Sequence, residues 1–170
     1  MDFLHISVIW ILKYGSVILF LLLALGIFGF PIPNETLLFM SGWLIAQGKL
    51  YAPAVIIAAI AGSICGITVS YWLGSATGPW LIRKYGSKLH ITEQKVNRTK
   101  RWFQHTGKWS LMIGYFFPLV RHLIGYVAGS THLRFKQFML FGYSGAIIWS
   151  MTFILLGYIL KREVYFLRLH

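Results

Sequence analysis

Acidic residues are nearly absent from this chain, which has four Asp and Glu among its 170 residues against 16 Lys and Arg. Asp2, Glu93 and Glu163 lie in polar termini or in a polar loop, so Glu35 is the one acid in an apolar segment. An enzyme acting on phosphate needs a nucleophile with partner acid and base, or a carboxylate cluster that holds a metal. The six histidines are also dispersed. We therefore expect no metal site, no cofactor and no enzymatic activity.

Cysteine and charge are scarce too. Cys65 is the single cysteine, which excludes an intrachain disulfide, and its place beside Gly66 in an apolar run predicts a small buried residue. Only 12% of the residues are charged while 57% are hydrophobic, and the mean hydropathy is +0.67. Soluble domains are about one quarter charged. The composition therefore predicts an all-α membrane protein, with residues 1–170 forming a single membrane domain.

The charge that is present is basic, with a formal net charge of +12. Half of the Lys and Arg residues lie between Arg83 and Lys108, in the longest polar stretch. A basic loop between hydrophobic segments is the positive-inside pattern, so residues 79–108 are predicted to be a cytoplasmic, amphipathic loop. We expect its helical part to lie on the inner leaflet with Trp102 and Phe103 at the interface. The partners are then anionic lipid headgroups rather than nucleic acid.

Hydrophobic segments at 3–30, 52–77 and 135–160 are long enough to span a bilayer, since a crossing needs about 20 apolar residues. Two others are broken. Residues 31–50 contain prolines and an apolar run too short to cross, which predicts a re-entrant hairpin. Residues 109–133 are interrupted by Pro118 and Gly125; they are long enough to cross, but a second re-entrant hairpin is favoured.

The two broken segments are related by a sparse internal repeat. Pro33 and Pro118 are 85 positions apart (118 − 33), and so are Lys49 and Arg134 (134 − 49). One full crossing separates the segments, so they are predicted to enter the bilayer from opposite faces, as an inverted repeat. This architecture is common in secondary transporters and indicates where their substrates bind.

Each broken segment carries one lone charge. A charge at the bilayer centre costs roughly 2.5–3.5 kcal/mol on insertion scales, so Glu35 and Arg121 are functional candidates. The guanidinium of Arg121 suits a phosphate, and the first turn of a half-helix after Pro118 also favours an anion. Two alternatives remain for Arg121: a structural ion pair with Glu35, or a side chain that reaches to the bilayer surface.

Glu35 is a candidate for proton coupling, because a carboxylate buried in an apolar hairpin favours its protonated form unless a cation is close. The alternative is a role in starting a helix, with Asn34 as the cap. His122, Tyr115, Asn34 and Thr36 are candidates for hydrogen bonds to a lipid headgroup. The sequence leaves the oligomeric state open, a homo-oligomer included.

The run Phe30-Pro31-Ile32-Pro33-Asn34-Glu35-Thr36-Leu37-Leu38 and the run from Gly114 to His122, followed by Gly145 and Trp149, resemble the two signatures of the DedA family, also called SNARE-associated or VTT-domain proteins. The resemblance covers residues 15–160. It implies facing re-entrant hairpins in a helical bundle of the bacterial cytoplasmic membrane. It also implies transport, driven by the proton-motive force, of phospholipids or polyprenyl phosphates such as undecaprenyl phosphate between leaflets.

Three departures from the family pattern lead us to expect a truncated or divergent member. Tyr115 stands where many members have a second arginine, and Leu23 and its neighbours are apolar where many members carry a further acid. Residues 164–170 are too short for the further C-terminal helix that members usually carry. The sequence therefore predicts a multi-pass lipid transporter in which Arg121 holds the phosphate and Glu35 exchanges a proton. A non-transporting membrane scaffold is the alternative, and a membrane lipid phosphatase a more remote one.

Overall fold

The computed structural model describes the backbone of residues 3–26, 34–77, 93–131 and 133–167, without the side chains of residues 3–13, 93, 95, 96, 118, 119, 122 and 165–167. Every regular element in these ranges is a helix and none is a strand, which confirms the all-α prediction. The helices are α1 (Phe3–Gly26), α2 (Asn34–Ala46), α3 (Ala52–Thr77), α4 (Glu93–Thr106), α5 (Trp109–Ile113), a 3₁₀ turn (Gly114–Phe116), α6 (Pro118–Ser130) and α7 (Phe135–Leu167).

Two of the described helices, α3 and α7, are long and apolar enough to cross a membrane, over Ala52–Thr77 and Phe135–Val164. The described part of α1 adds a shorter apolar stretch, Tyr14–Gly26. α7 continues to Leu167, seven residues beyond its predicted end at 160. Lys161, Arg162 and Glu163 are good helix formers and no glycine or proline follows them, so nothing stops the helix there.

The predicted break at Pro118 is present, whereas the predicted break at Gly125 is wrong. Phe117 is extended (φ −104°, ψ 107°), because the residue before a proline is pushed out of the helical region, and α6 restarts with Pro118 in its first turn. α6 then runs unbroken through Gly125. A Cβ at Gly125 would lie 3.0 Å from the Ile67 carbonyl oxygen, so this glycine serves close helix packing rather than a bend.

The two halves of the chain pack in a reciprocal way, α2 on α7 and α6 on α3. A Cβ on Gly42 of α2 would collide with the carbonyl of Ile154 in α7, and a Cβ on Gly129 of α6 would collide with the carbonyl of Tyr71 in α3. The glycines are 87 positions apart (129 − 42) and their partners 83 (154 − 71). The same contact, between a glycine of a short helix and a carbonyl of the long helix in the other half, therefore occurs twice.

A second pair of contacts has the same spacing. Gly157 of α7 meets the backbone of Phe39, and Gly74 of α3 meets the backbone of Tyr126. The glycines differ by 83 positions (157 − 74) and their partners by 87 (126 − 39). Equivalent residues of the two halves are thus 87 positions apart in the short helices and 83 positions apart in the long helices, rather than 85 positions apart throughout. The second half has four positions fewer between its short and its long helix.

The short helices run parallel to their partners. Phe39 contacts Gly157, and one turn later Trp43 contacts Lys161, so residue numbers increase in the same direction along α2 and α7. In the same way Gly125 meets Ile67 and Gly129 meets Tyr71 one turn later, so α6 and α3 advance together.

The long helices run antiparallel to each other. Ser63 Oγ lies 3.3 Å from Ser150 Oγ, and the Tyr71 ring stacks on the Phe138 ring with 4.3 Å between centroids. A later residue of α3 thus meets an earlier residue of α7, so the two helices are antiparallel. Combined with the parallel pairs, this places α2 and α7 in one direction and α3 and α6 in the other. The helix pairs α2–α3 and α6–α7 therefore have opposite orientations.

Residues 109–131 turn back on themselves along α7. The Trp109 ring contacts Phe141 near the start of α7 (5.0 Å between centroids), and the Tyr115 ring contacts Trp149 two turns further on (5.9 Å). α6 then runs in the opposite direction, and the Tyr71 hydroxyl donates to the carbonyl of Leu133, just before α7 begins. Both ends of this segment therefore lie beside the first turns of α7.

Two side chains lie differently from the sequence prediction. Phe103 of α4 is 8% exposed and belongs to the hydrophobic core, because α4 packs on α6, so its predicted place at the membrane interface is wrong. Arg98 and Arg101 on the opposite side of α4 are exposed. Cys65 is exposed rather than buried, because α3 turns Gly62 instead toward the backbone of Phe20 in α1.

Candidate functional site

The two lone charges are placed by the starts of the two short helices. Glu35 lies in the first turn of α2, and Arg121 in the first turn of α6. The first turn of a helix has free N–H groups and the positive end of the dipole, which favours the carboxylate of Glu35. The same field opposes the guanidinium of Arg121, which therefore needs an anion beside it.

That anion is Glu35. Arg121 Nη1 donates to Glu35 Oε1 at 2.7 Å, a charge-assisted hydrogen bond. The side chain of Arg121 is 2% exposed and that of Glu35 is 28% exposed. The pair is thus closed on the arginine side and accessible on the carboxylate side.

An aromatic platform holds the guanidinium from the other side. Arg121 Cζ lies 4.3 Å from the centroid of the Trp149 ring, a cation–π contact with a side chain that is itself 1% exposed. The Tyr115 ring packs beside Trp149, and the Tyr115 hydroxyl donates to the carbonyl of Ser63 in α3 at 3.4 Å. Arg121 is therefore fixed by residues from α2, α7 and the 3₁₀ turn.

Trp149 is the member of the site that the residues alone did not indicate. The chain has seven tryptophans, and nothing in the spacing of Trp149 within α7 separates it from the others. Its only signal was its place in the DedA resemblance. The contact with Arg121 depends on the packing of two segments nearly thirty residues apart, which no local pattern records.

Three buried polar atoms at the site have no hydrogen-bond partner in the described part of the chain. They are Asn34 Oδ1, Arg121 Nε and Trp149 Nε1. A buried polar group without a partner costs about 1–3 kcal/mol, so native proteins keep few of them. Arg121 Nε and Trp149 Nε1 supply two donors at the ion pair, which are unused capacity for binding a polar group, whereas Asn34 Oδ1 lies beside Gly26 of α1.

The other predicted site residues differ in their burial and in their distance from the ion pair. Asn34 is buried, and its side chain fills the space beside Gly26. Thr36 is exposed and Tyr115 is fully buried. The backbone of His122 belongs to α6, but its side chain lies outside the described residues. The structure therefore brings Glu35 and Arg121 together and places Tyr115 beside Trp149, whereas the side chain of Asn34 is directed to α1.

The site lies where the two halves meet. Under the register of the short helices, Arg121 is equivalent to Asn34 (121 − 34 = 87) and His122 to Glu35 (122 − 35 = 87). The ion pair thus joins two nearly equivalent positions. Within the described residues there is no group of three or more His, Cys, Asp or Glu side chains that could hold a metal ion.

Comparison with known proteins decides the family. Residues 32–159, from just before α2 to near the end of α7, match the VTT domain. The chain belongs to the VTT-domain family. The match includes both Glu35 and Arg121, and it confirms the resemblance to DedA proteins found in the sequence.

Several relatives of this VTT-domain protein are membrane proteins by name. It is 33% identical over 147 residues to the uncharacterized membrane protein YbfM of Bacillus subtilis, covering 86% of this chain and 91% of the relative. It is 32% identical over 136 residues to undecaprenyl phosphate transporter A of the same organism (79% and 68%). It is 28% identical over 132 residues to an alkaline phosphatase-like protein of Lactococcus lactis (75% and 62%). No solved structure matches.

Proposed function

We propose that this VTT-domain protein moves an anionic lipid, a phospholipid or a polyprenyl phosphate such as undecaprenyl phosphate, between the leaflets of the bacterial cytoplasmic membrane. The observation that carries the proposal is the Glu35–Arg121 ion pair, with its buried guanidinium, at the starts of two short helices from opposite halves. The relative named undecaprenyl phosphate transporter A supports a polyprenyl phosphate as the substrate.

In this proposal the segments 31–50 and 109–133 are re-entrant hairpins that enter from opposite faces, with the basic loop 79–108 in the cytoplasm. The opposite orientations of the α2–α3 and α6–α7 pairs support entry from two faces. Residues 109–131 begin and end beside the same end of α7, which supports re-entry rather than crossing. The first hairpin then opens to the outside and the second to the cytoplasm.

The chemistry is an exchange of anions on Arg121. A lipid phosphate approaches from the accessible side of Glu35 and replaces its carboxylate on the guanidinium, whose planar fork suits phosphate oxygens. The buried N–H groups of Arg121 Nε and Trp149 Nε1 are further donors for the headgroup. Asn34 and Thr36 in the first turn of α2, and His122 next to Arg121 in the sequence, are the further residues that we propose for the headgroup.

Glu35 couples this exchange to protons. In this cycle Glu35 loses its cation while a negative phosphate binds beside it, and both changes favour the protonated carboxyl, so each phosphate bound is accompanied by one proton taken up at Glu35. When the phosphate leaves, the proton leaves and the ion pair closes again. Arg121 thus always has one anion beside it, and an inward proton gradient drives the cycle in one direction.

The Glu35→Gln variant tests the coupling. In proteoliposomes with labelled polyprenyl phosphate, we expect an imposed pH gradient to accelerate translocation by the native protein and to leave the variant unaffected, because the amide side chain of the variant does not titrate. Glu163→Gln is the matched control, since Glu163 is an exposed acid on α7 and should preserve the response. A Glu35→Gln protein that still responds to the gradient contradicts the proton role.

The same liposomes separate the proposal from its alternatives. A membrane scaffold tolerates the loss of both Glu35 and Arg121 and moves no lipid in isolation. A phosphatase, the activity in the name of the Lactococcus lactis relatives, releases inorganic phosphate from the labelled lipid. Translocation without release of phosphate is the result that we expect.

A further inference from the structure

A cluster of cations surrounds a cavity at the far end of α2. The cavity has a volume of about 520 Å³ and is lined by Ala46, Gln47, Lys49, Lys161 and Arg162. Lys49 and Arg162 are exposed, and Lys161 is held with its Nζ 5.1 Å from the centroid of the Trp43 ring. None of the three cations forms an ion pair with another described residue.

Membrane topology does not account for these cations. α7 begins next to Arg134 and Lys136 and carries Lys161 and Arg162 at its other end. With residues 79–108 in the cytoplasm, the start of α7 is cytoplasmic and the cavity faces outward. The positive-inside rule predicts few Lys and Arg on that side. A gathered cluster there therefore needs another explanation.

An apolar groove of about 500 Å³ is lined by residues next in sequence to those of the basic cavity. Its walls come from the end of α2, the start of α3 and the middle of α7, and include Ile45, Leu50, Ile154 and Tyr158. Ile45 adjoins Ala46 and Leu50 adjoins Lys49, so groove and cavity are neighbours. No charged side chain lines the groove. A basic compartment beside an apolar one matches a lipid with an anionic headgroup.

We propose that this cavity and groove bind an anionic phospholipid or lipid phosphate of the outer leaflet, with its phosphate on Lys49, Lys161 and Arg162 and a hydrocarbon chain in the groove. The proposal rests on the proposed function, for which it supplies the place where the substrate is captured. α2 leads from Ala46 back to Glu35, and its 13 residues span roughly 20 Å at 1.5 Å each. The captured headgroup thus lies one short helix away from Arg121.

Native mass spectrometry of the full chain in detergent tests the site. The probes are phosphatidylglycerol and phosphatidylcholine with identical acyl chains. We expect the native protein to retain one phosphatidylglycerol in preference to phosphatidylcholine. In Lys49→Gln/Lys161→Gln/Arg162→Gln this preference should fall by about tenfold or more, since each basic residue near a headgroup adds to its binding. Retention of the full preference by this variant overturns the proposal.

The matched control removes three cations at the other end of the bundle. Lys108→Gln/Arg134→Gln/Lys136→Gln also loses two lysines and one arginine, and Lys108 Nζ lies 5.1 Å from the Phe141 ring just as Lys161 lies over Trp43. This variant should keep the preference. Equal losses in the two triple variants overturn the assignment, because they would reflect net charge alone.

Two further arms fix the ligand and separate this site from the transport site. Inorganic phosphate in excess should not displace the lipid; displacement would assign the cavity to a free anion and overturn the proposal. Arg121→Gln should still bind phosphatidylglycerol, since capture does not require movement between leaflets. Normal translocation by Arg121→Gln overturns the proposed function, whereas loss of binding in the first triple variant would still support the capture site.

Discussion

Arg121→Gln is expected to reduce translocation of polyprenyl phosphate by about 100-fold or more. The fork of Arg121 would make two charge-assisted hydrogen bonds to a phosphate, each contributing roughly 1.5–3 kcal/mol, and every 1.4 kcal/mol corresponds to a factor of ten. Lysine at this position keeps the charge but loses the paired geometry, so Arg121→Lys should retain an intermediate rate.

Arg121→Gln should destabilise the fold less than Glu35→Gln does. Arg121→Gln leaves Glu35, which is 28% exposed and can be hydrated. Glu35→Gln leaves a guanidinium that is 2% exposed without its counter-ion, a situation that costs about 3–5 kcal/mol. Thermal melting checks this asymmetry, and Arg134→Gln, just before α7, is the control for loss of a positive charge. An Arg121→Gln protein that is folded and moves lipid at the native rate contradicts the phosphate role.

The second large effect is expected at the glycines that join the halves. Gly42→Ala places a Cβ against the carbonyl of Ile154, and Gly129→Ala places one against the carbonyl of Tyr71. In both variants the new Cβ meets a backbone carbonyl, which cannot move aside as a side chain can, so the two helices must separate. Overpacking costs typically 1–3 kcal/mol, and a clash with backbone places both variants near the upper end of that range. At roughly 2–4 °C of melting temperature per kcal/mol for a chain of this size, we expect a fall of about 6–12 °C.

Gly142→Ala is the matched control for these two variants. A Cβ there would lie 3.5 Å from the ring of Phe138, an ordinary contact with a movable side chain. The control should melt within about 2 °C of the native protein, since a substitution without a clash changes stability little. Because the contacts of Gly42 and Gly129 are equivalent, their two variants should also lose similar amounts of stability. A Gly42→Ala variant as stable as Gly142→Ala would contradict the reciprocal packing.

Features of the fold that depend on local chemistry are predictable from the sequence. α3 and α7 follow from hydropathy, and the break before Pro118 follows from the restricted backbone of residue 117. The meeting of Glu35 and Arg121 is also within reach, because two opposite charges in apolar segments are stabilised by pairing. These inferences need no knowledge of how the helices pack.

Features that depend on packing were missed or misjudged. Gly125 looks like a break in the sequence, but it allows α6 to approach Ile67, a partner that lies 58 positions away (125 − 67). Phe103 turns inward because α6 covers that face of α4. Alignment on the prolines gave a uniform offset of 85, since a sequence comparison cannot tell that four positions are lost between the helices of the second half.

The measurement that tests the account most directly is lipid translocation by the double variant Glu35→Gln/Arg121→Gln. Replacing both members leaves no unpaired charge and two amides that can hydrogen-bond to each other, so this variant should melt closer to the native protein than Glu35→Gln does. We predict that it translocates polyprenyl phosphate no faster than protein-free liposomes. A double variant that is folded and transports at the native rate would show that the pair only holds the halves together, and would contradict the account.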